Sequence, residues 1–190
     1  MPNVLERIEN VRKIRLESKR GATNKLAKTP SLFGEIRQPK NNYLLVPFVS
    51  SENREIIPMG YFSSNFIATN RVAIIPEATL YTFGVLTSAM HMTWINRVCG
   101  RLESRYNYSI GIVYNNFPWP ENITDEQKKK VEDCAQKVLD VRLQFPTSSL
   151  ADLYDPNTMP PELVKAHEEL DRVVDACYGR RFTNKEERIE

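Results

Sequence analysis

Hydrophobic residues recur at every third or fourth position in four stretches of this chain, and this spacing predicts four amphipathic helices. The first two cover residues 4–19, which are strongly basic, and residues 80–98, which end before Gly100. The other two cover residues 124–145 and 161–178. A Ser/Thr-x-x-Gln capping pattern opens the third helix, and two prolines open the fourth.

Between the first two helices the pattern changes to short runs of strand formers interrupted by Pro, Gly and Asn. Pro47 within the first run indicates an edge strand or a bulge. The fold class predicted is α+β: a small irregular antiparallel sheet with a central helix, followed by a helical C-terminal domain. The strands are predicted at residues 43–49, 55–62, 66–69 and 72–75, with a further extended segment at 106–114.

The change of pattern near Pro120 divides the chain of 190 residues into two predicted domains, 1–120 and 121–190. The first includes the basic helix at residues 4–19, and the last residues, 180–190, form a charged tail that we expect to fray. Neither a membrane-spanning run nor an apolar leader is present, so a cytoplasmic location without membrane contact is the expectation.

The net charge of +2 conceals an uneven distribution. Residues 1–40 carry a net charge of +6, whereas residues 121–190 carry −5. A basic front and an acidic back are typical of a protein that turns one face to a polyanion, although solvated helices also show such a pattern.

Residue sets for known catalytic chemistry are missing from the sequence. Three scattered cysteines and two histidines offer no disulfide framework and no zinc-ligand spacing. No glycine-rich loop follows a strand, and no Ser/His/Asp set is supported by spacing. We therefore predict no catalytic residue and no metal ligand in this chain.

One segment, Asn116-Phe117-Pro118-Trp119, has some similarity to the loop with which amino-group DNA methyltransferases hold a flipped base. That loop has proline directly after its Asn or Asp, whereas this chain has phenylalanine. We therefore interpret Phe117 and Trp119 as packing residues.

Arginine, lysine and asparagine residues in the predicted loops and at element ends favour DNA binding. Arginine fits guanine edges and phosphates, asparagine fits adenine, and carboxylates accept from cytosine. Tyr43, Tyr106 and Tyr108 lie between these basic residues. Each carboxylate, taken alone, is more typical of an ordinary solvated surface than of base recognition. The basic run that follows Cys99 is the best candidate for the part that touches DNA.

Five runs of the sequence resemble the C-terminal part of MmeI-type DNA adenine methyltransferases, the fused restriction–modification enzymes. They are residues 32–39, 43–62, 76–102, 105–120 and 150–179, in the order of that family. The resemblance implies a target recognition domain up to about Pro120 and a helical C-terminal domain after it. It also implies a parent enzyme that transfers a methyl group from S-adenosylmethionine to adenine N6, with its catalytic core outside this sequence.

The resemblance implies double-stranded DNA and the missing methyltransferase core of the same polypeptide as partners. This chain alone is expected to hold no cofactor and to transfer no methyl group. The candidate DNA-binding residues, from the residue pattern and the resemblance together, are Arg37, Lys40, Asn41, Arg54, Glu55, Arg71, Glu77, Thr79, Arg97, Arg101 and Arg105. The alternative function is a non-enzymatic protein-interaction module that docks through helices 124–145 and 161–178.

Overall fold

The computed structural model describes residues 2–179 together with Phe182, Glu187 and Arg188. Most of the predicted charged tail, residues 180–190, lies outside the described residues. The chain forms two compact units, residues 1–38 and residues 39–190.

The first unit is helical and is organised by one arginine. Arg15 donates from Nη1 to the carbonyls of Leu26 and Thr29 at 2.9 and 2.8 Å, and from Nη2 to the carbonyl of Leu32 at 2.8 Å. These bonds fold the following segment back along the first helix. The elements are α1 (Pro2–Glu17), α2 (Gly21–Lys25) and a 3₁₀ turn (Leu26–Lys28). The predicted basic helix is therefore confirmed to within two residues.

Within its described residues, the second unit contains two small antiparallel sheets of three strands each. The first has the order β3-β1-β4, and the second has the order β2-β6-β5. The strands are β1 (Tyr43–Pro47), β2 (Val49–Ser50), β3 (Gly60–Phe62), β4 (Val72–Pro76), β5 (Gly100–Leu102) and β6 (Arg105–Asn107). The α+β class with small antiparallel sheets is confirmed.

The predicted strand at residues 43–49 changes sheets at Phe48. The N–H of Phe48 donates to the carbonyl of Arg71, next to β4 of the first sheet, at 3.2 Å. The carbonyl of Phe48 accepts from the N–H of Tyr108, next to β6 of the second sheet, at 2.7 Å. The prediction of an edge strand or a bulge at Pro47 is wrong, since β1 is the central strand of its sheet and pairs with β4 in unbroken register through Pro47. Pairing with β3 ends at Leu45, so the missing N–H of Pro47 leaves no β3 carbonyl unpaired.

The predicted helix at residues 80–98 is divided into α3 (Leu80–Leu86) and α4 (Ala89–Val98). The hydroxyls of Thr87 and Ser88 donate to the carbonyls of Phe83 and Val85 at 2.8 and 2.7 Å. Hydroxyls that take helix carbonyls compete with the backbone ladder and favour an end to the helix. Gly100, predicted as the residue that ends this helix, begins β5 instead.

Three predicted extended segments are shorter in the structure or absent from it. Only the last three residues of 55–62 are in a strand, and no strand forms at 66–69 within the described residues. The segment 106–114 is strand only at its start, and Ile110–Tyr114 forms a π-helical turn. Trp94 stabilises this turn, because its indole N–H donates to the carbonyl of Val113 at 2.9 Å.

The C-terminal helices agree with their prediction. The two predicted helices are α5 (Asp125–Leu143) and α7 (Pro161–Cys177), and a short helix, α6 (Leu150–Leu153), lies between them in the chain. Both hydrogen bonds of the capping box at Thr124 are present. Gln127 reaches the carbonyl of Ala176, and Lys137 pairs with Glu169, so α5 and α7 run antiparallel.

Helix α3 packs against these C-terminal helices at a glycine. A Cβ on Gly84 would lie 2.8 Å from Cγ1 of Val131 and 3.3 Å from Cδ1 of Leu170. Only glycine allows this close approach, so the sheet-bearing part and the helical part share one core. Among the residues that the structure describes, none of the helices combines the length and apolarity needed to span a bilayer.

Candidate nucleic-acid interface

A groove of about 460 Å³ lies at one end of the first sheet. Tyr43 pairs with both Phe62 and Pro76, so the start of β1 meets the ends of β3 and β4 there. The chain segments beyond these three strand ends form the walls. We call this the sheet-end groove; it is lined by Lys40, Asn41, Asn42, Ser64, Glu77 and Ala78.

Glu77 directs the chain from β4 towards α3 through an unusual backbone conformation. Its φ is 54°, in the left-handed region, which costs a residue with a side chain about 1–2 kcal/mol. Thr79 follows as the N-cap of α3, and its hydroxyl accepts from the N–H of Thr82 at 3.1 Å. The Thr79 hydroxyl is thus already engaged at the helix end, while the Glu77 side chain is exposed beside the groove.

The groove combines hydrogen-bond donors and acceptors in a small area. Lys40 offers only donors, Glu77 offers only acceptors, and Asn41 offers both. Such a mixture matches the alternating donors and acceptors of base-pair edges better than it matches a row of phosphates.

A second cluster lies on the β5–β6 hairpin, residues 100–107, which we call the arginine hairpin. The guanidinium of Arg101 lies 4.0 Å from the centroid of the Tyr106 ring and donates to the carbonyl of Ser104 at 3.2 Å. Arg105 forms an ion pair with Glu103 at 2.5 Å. Both arginines are exposed, and such exposed pairs contribute only about 0–1 kcal/mol, so a phosphate can compete for them.

Glu52 lies beside the hairpin. The side-chain hydroxyl of Ser104 has the largest effect in holding the pKa of Glu52 below its usual range, followed by the backbone of Glu52 itself. The positive charges of Arg101 and Arg105 lower this pKa further. Glu52 is therefore ionised at neutral pH and, with Glu103, balances the charge of the two arginines.

Arg97 and Arg71 extend the basic surface. Arg97 is exposed in the last turn of α4, directly before the arginine hairpin, and its side chain has no hydrogen bond or ion pair with the residues described. Arg71 is exposed immediately before β4, at the end of the first sheet opposite the groove. Five residues of strand separate these ends by roughly 14 Å.

The structure does not bring all of the predicted residues into these two clusters. Arg54 is half-buried, and its Nη2 donates to the carbonyl of Ala151 at 3.3 Å. Its neighbour Glu55 is exposed. Arg37 belongs to the first unit and pairs with Glu35 at 2.5 Å.

The tyrosines near the basic residues are core residues. Tyr43, Tyr106 and Tyr108 are 0%, 4% and 2% exposed, so their faces are not open for base stacking. Phe117 is also buried, with its ring 4.8 Å from His91 and 5.3 Å from Trp119. The interpretation of Phe117 and Trp119 as packing residues is confirmed.

Sequence reasoning did not select Ser64 as a site residue. It follows β3 directly, and only the pairing of β3 with β1 brings it to the groove. Its position in a polar turn between two strands was the available signal. As for metals, no group of three or more His, Cys, Asp or Glu residues within the described part of the chain is placed to hold an ion.

The fold and surface define an α+β body with a helical C-terminal part, a mixed polar groove and an arginine-bearing hairpin. Residues 1–121 match the family model of the MmeI target recognition domain, and residues 123–190 match that of the MmeI C-terminal domain. The chain therefore belongs to the MmeI family, as its resemblance predicted.

Two relatives cover the whole chain. DNA methyltransferase A of Bacillus subtilis (strain 168) is 43% identical over 190 residues. The solved structure of the Type IIL restriction–modification enzyme MmeI in complex with DNA is 47% identical and superposes with a TM-score of 0.87. The chain spans 21% of the first relative and 25% of the second.

The family models and the three-dimensional contacts divide the chain differently. The two models meet at residue 122, whereas the compact units meet after residue 38. The division at residue 120 thus follows sequence families, and as a division between folding units it stays a prediction.

Proposed function

We propose that this chain is the DNA-recognition part of a site-specific DNA adenine-N6 methyltransferase of the restriction–modification type. It binds double-stranded DNA and positions the target base for a methyltransferase core elsewhere in the same polypeptide. One observation carries the proposal: every residue of the chain is covered by a relative that was solved in complex with DNA.

The proposed division of roles follows the geometry of the two clusters. Lys40, Asn41 and Glu77 read base edges from the sheet-end groove, with Thr79 holding the end of α3 beside them. The basic residues outside the groove hold phosphates or guanine edges. These are Arg37, Arg71, Arg97, Arg101 and Arg105.

Arg54 and Glu55 act together with the loop that follows β2. Since Arg54 already donates to Ala151, its contribution is to fix this loop against α6, with Glu55 exposed on the DNA-facing side of the same loop in this proposal. Loss of Arg54 would then affect DNA binding through the position of the loop.

The methyl donor of the parent enzyme, in this proposal, is S-adenosylmethionine. The described residues do not fit that cofactor: no glycine-rich loop joins a strand to a helix, and both sheets are antiparallel. We derive no step of methyl transfer from this chain, and the purified chain is expected to transfer no methyl group from labelled S-adenosylmethionine to DNA.

The alternative, a protein-docking module, loses its proposed surface in this structure. The apolar stripes of α5 and α7 are buried against each other and against α3, with Val131, Val138, Leu163 and Leu170 fully inaccessible. No second function is therefore proposed.

A mobility-shift titration with a duplex of about 30 base pairs tests the proposal. At about 50 mM salt we expect binding, and the affinity should fall steeply as the salt concentration increases. The reason is that lysine and arginine side chains release condensed counterions from the DNA, and this release is less favourable at high salt. Arg101→Ala should weaken binding to all duplexes alike if Arg101 holds a phosphate, and should relax one base position if it reads a guanine.

Arg172→Ala is the matched control, because Arg172 is an exposed arginine of α7, outside both clusters. It should leave binding and its salt dependence unchanged. A folded protein that binds no duplex at about 50 mM salt would rule out the proposed function.

A further inference from the structure

A loop at the sheet-end groove carries two exposed apolar side chains. In residues 63–71, Phe66 is 57% exposed and Ile67 is 77% exposed. Single exposed apolar residues are common on proteins, but here two consecutive residues of one loop are exposed, and we call this pair the apolar tip.

The loop is held firmly in this position. The hydroxyl of Tyr43, a fully buried residue, donates to the carbonyl of Phe66 at 2.7 Å. The ring of Phe62 in β3 lies 5.2 Å from that of Phe66. The N–H of Phe66 also donates to the carbonyl of Ser63 at 3.2 Å. These contacts fix the backbone under Ile67 and leave its side chain in solvent.

Position and charge indicate what such a tip meets. Ser64 of the same loop lines the sheet-end groove together with Lys40, Asn41 and Glu77, and Glu77 is the one acidic residue of that lining. Residues 56–76 contain no Asp or Glu, and their single charged residue is Arg71. An apolar tip on an acid-free segment beside lysine and asparagine side chains is complementary to a polyanion that also offers apolar groups.

We propose that Ile67 is a specificity residue that contacts the C5-methyl group of a thymine in the major groove, next to the bases that the sheet-end groove reads. This inference rests on the proposed DNA-recognition function. The thymine methyl is the apolar group of the major groove, and apolar side chains distinguish thymine by contact with it.

Replacement of thymine by deoxyuridine tests this contact, since deoxyuridine lacks only that methyl. The wild-type chain is first used to enrich a bound sequence from a pool of duplexes with a randomised centre. Each thymine of the enriched duplex is then replaced singly, and affinity is measured for wild type and Ile67→Ser. We expect one replacement to weaken wild-type binding about 3- to 10-fold, the effect of a single apolar carbon.

Ile67→Ser should bind the unmodified duplex with that same loss and should show no further loss with deoxyuridine at that position. Because Ile67 is exposed, the variant should melt within about 2 °C of wild type. Leu143→Ser is the matched control, because Leu143 is an apolar residue of α5 that is 76% exposed and lies outside both clusters; this variant should keep the wild-type response to deoxyuridine.

The outcomes separate this inference from the proposed function. If wild type binds DNA but every deoxyuridine replacement changes the affinity of wild type and of Ile67→Ser to the same extent, the inference is wrong and the proposed function stands. If wild type binds no duplex at all, the function itself fails. If light scattering shows a wild-type dimer that Ile67→Ser converts to a monomer, the tip binds a second copy of the chain and the inference is overturned.

Discussion

The two histidines of the chain, His91 of α4 and His167 of α7, are both buried, and each has a tyrosine hydroxyl at its Nε2. The Nδ1 of His91 is 2.7 Å from the carbonyl of Leu86 and so carries the proton, and its Nε2 accepts from the hydroxyl of Tyr108 at 3.2 Å. The Nε2 of His167 lies 2.6 Å from the hydroxyl of Tyr154. Burial is the main cause that lowers the pKa of His91 to about 4 and that of His167 to about 3.

The difference between the two sites is Arg142. Its Nε and Nη2 donate to the Tyr154 hydroxyl at 2.9 and 2.5 Å, and its Nη1 donates to the carbonyl of Met59 at 2.8 Å. The ring of Phe83 lies 5.1 Å from the guanidinium carbon. Because the Tyr154 oxygen accepts from Arg142, its own proton is directed to His167.

This comparison shows how the helical part supports the recognition part. The His91 network closes within the recognition part, whereas Arg142 of α5 reaches Met59, the residue before β3. A buried cation therefore ties the C-terminal helices to the sheet whose opposite strand ends form the groove. The C-terminal helices belong to the same body that presents the candidate DNA-binding surface.

Tyr154→Phe should produce the largest effect. It removes the hydroxyl that accepts two hydrogen bonds from the buried Arg142 and that donates to His167. We expect a loss of about 3 kcal/mol in the free energy of unfolding. Chemical denaturation with urea measures this. A loss below about 1 kcal/mol would mean that Arg142 finds other hydrogen-bond partners. The buried cation would then not be the difference between the two histidine sites.

Acidification should act on both histidine sites at once. Each histidine is neutral in the folded protein, and its pKa rises to 6.5 on unfolding, so stability is full above that pH and is lost as the pH falls. Asp171 opposes this between pH 6 and 4, because burial raises its pKa to about 6 in the folded state. The net loss from pH 7 to pH 5 should be about 2 kcal/mol.

Urea titrations at pH 7, 6 and 5 check this expectation. His91→Gln and His167→Gln should each remove part of the pH dependence, whatever they cost at pH 7. If either variant keeps the full wild-type slope, that histidine is not held neutral by its burial.

Tyr108→Phe is the matched substitution at the first site and should cost less. It removes a single neutral donor and leaves one ring nitrogen of His91 without a partner, for a loss of about 1.5 kcal/mol. The two sites have no residue in common, so the double variant with Tyr154→Phe should show additive losses within about 0.5 kcal/mol. Clear non-additivity would show that the two networks are coupled.

Local signals explain which elements the sequence predicts well. Helices α1, α5 and α7 each have a regular spacing of apolar and polar residues along their length. The side chains of Thr124 and Gln127, three residues apart, fix the start of α5 through their hydrogen bonds to the backbone. These features depend on near neighbours in the chain. The positions of these helices therefore follow from periodicity and capping patterns.

Long-range contacts decide what the sequence leaves open. The division of the second predicted helix is completed by Asp171, which accepts from the N–H of Ala89 at 2.7 Å across 82 positions of sequence. The exposed or buried state of Tyr106 and Arg54 likewise depends on segments far along the chain. Residue types suggested a DNA-binding surface, but only the fold separates Arg101, which is exposed, from Tyr106, which is buried.

Asp171→Asn should have the smallest effect of these substitutions, and it separates the contribution of this carboxyl from that of the two histidines. Burial has the largest share in raising the pKa of Asp171, Asp175 and Glu168 add to it, and the N–H of Ala89 and Arg188 oppose it. A raised carboxyl pKa adds stability that is complete below 3.8 and is lost as the pH rises through 6. Asparagine can still accept from Ala89 but cannot titrate, so the variant should be the more stable protein at pH 7. Between pH 7 and pH 5 it should lose about 1 kcal/mol more than wild type, and equal slopes would show that the carboxyl stays ionised throughout.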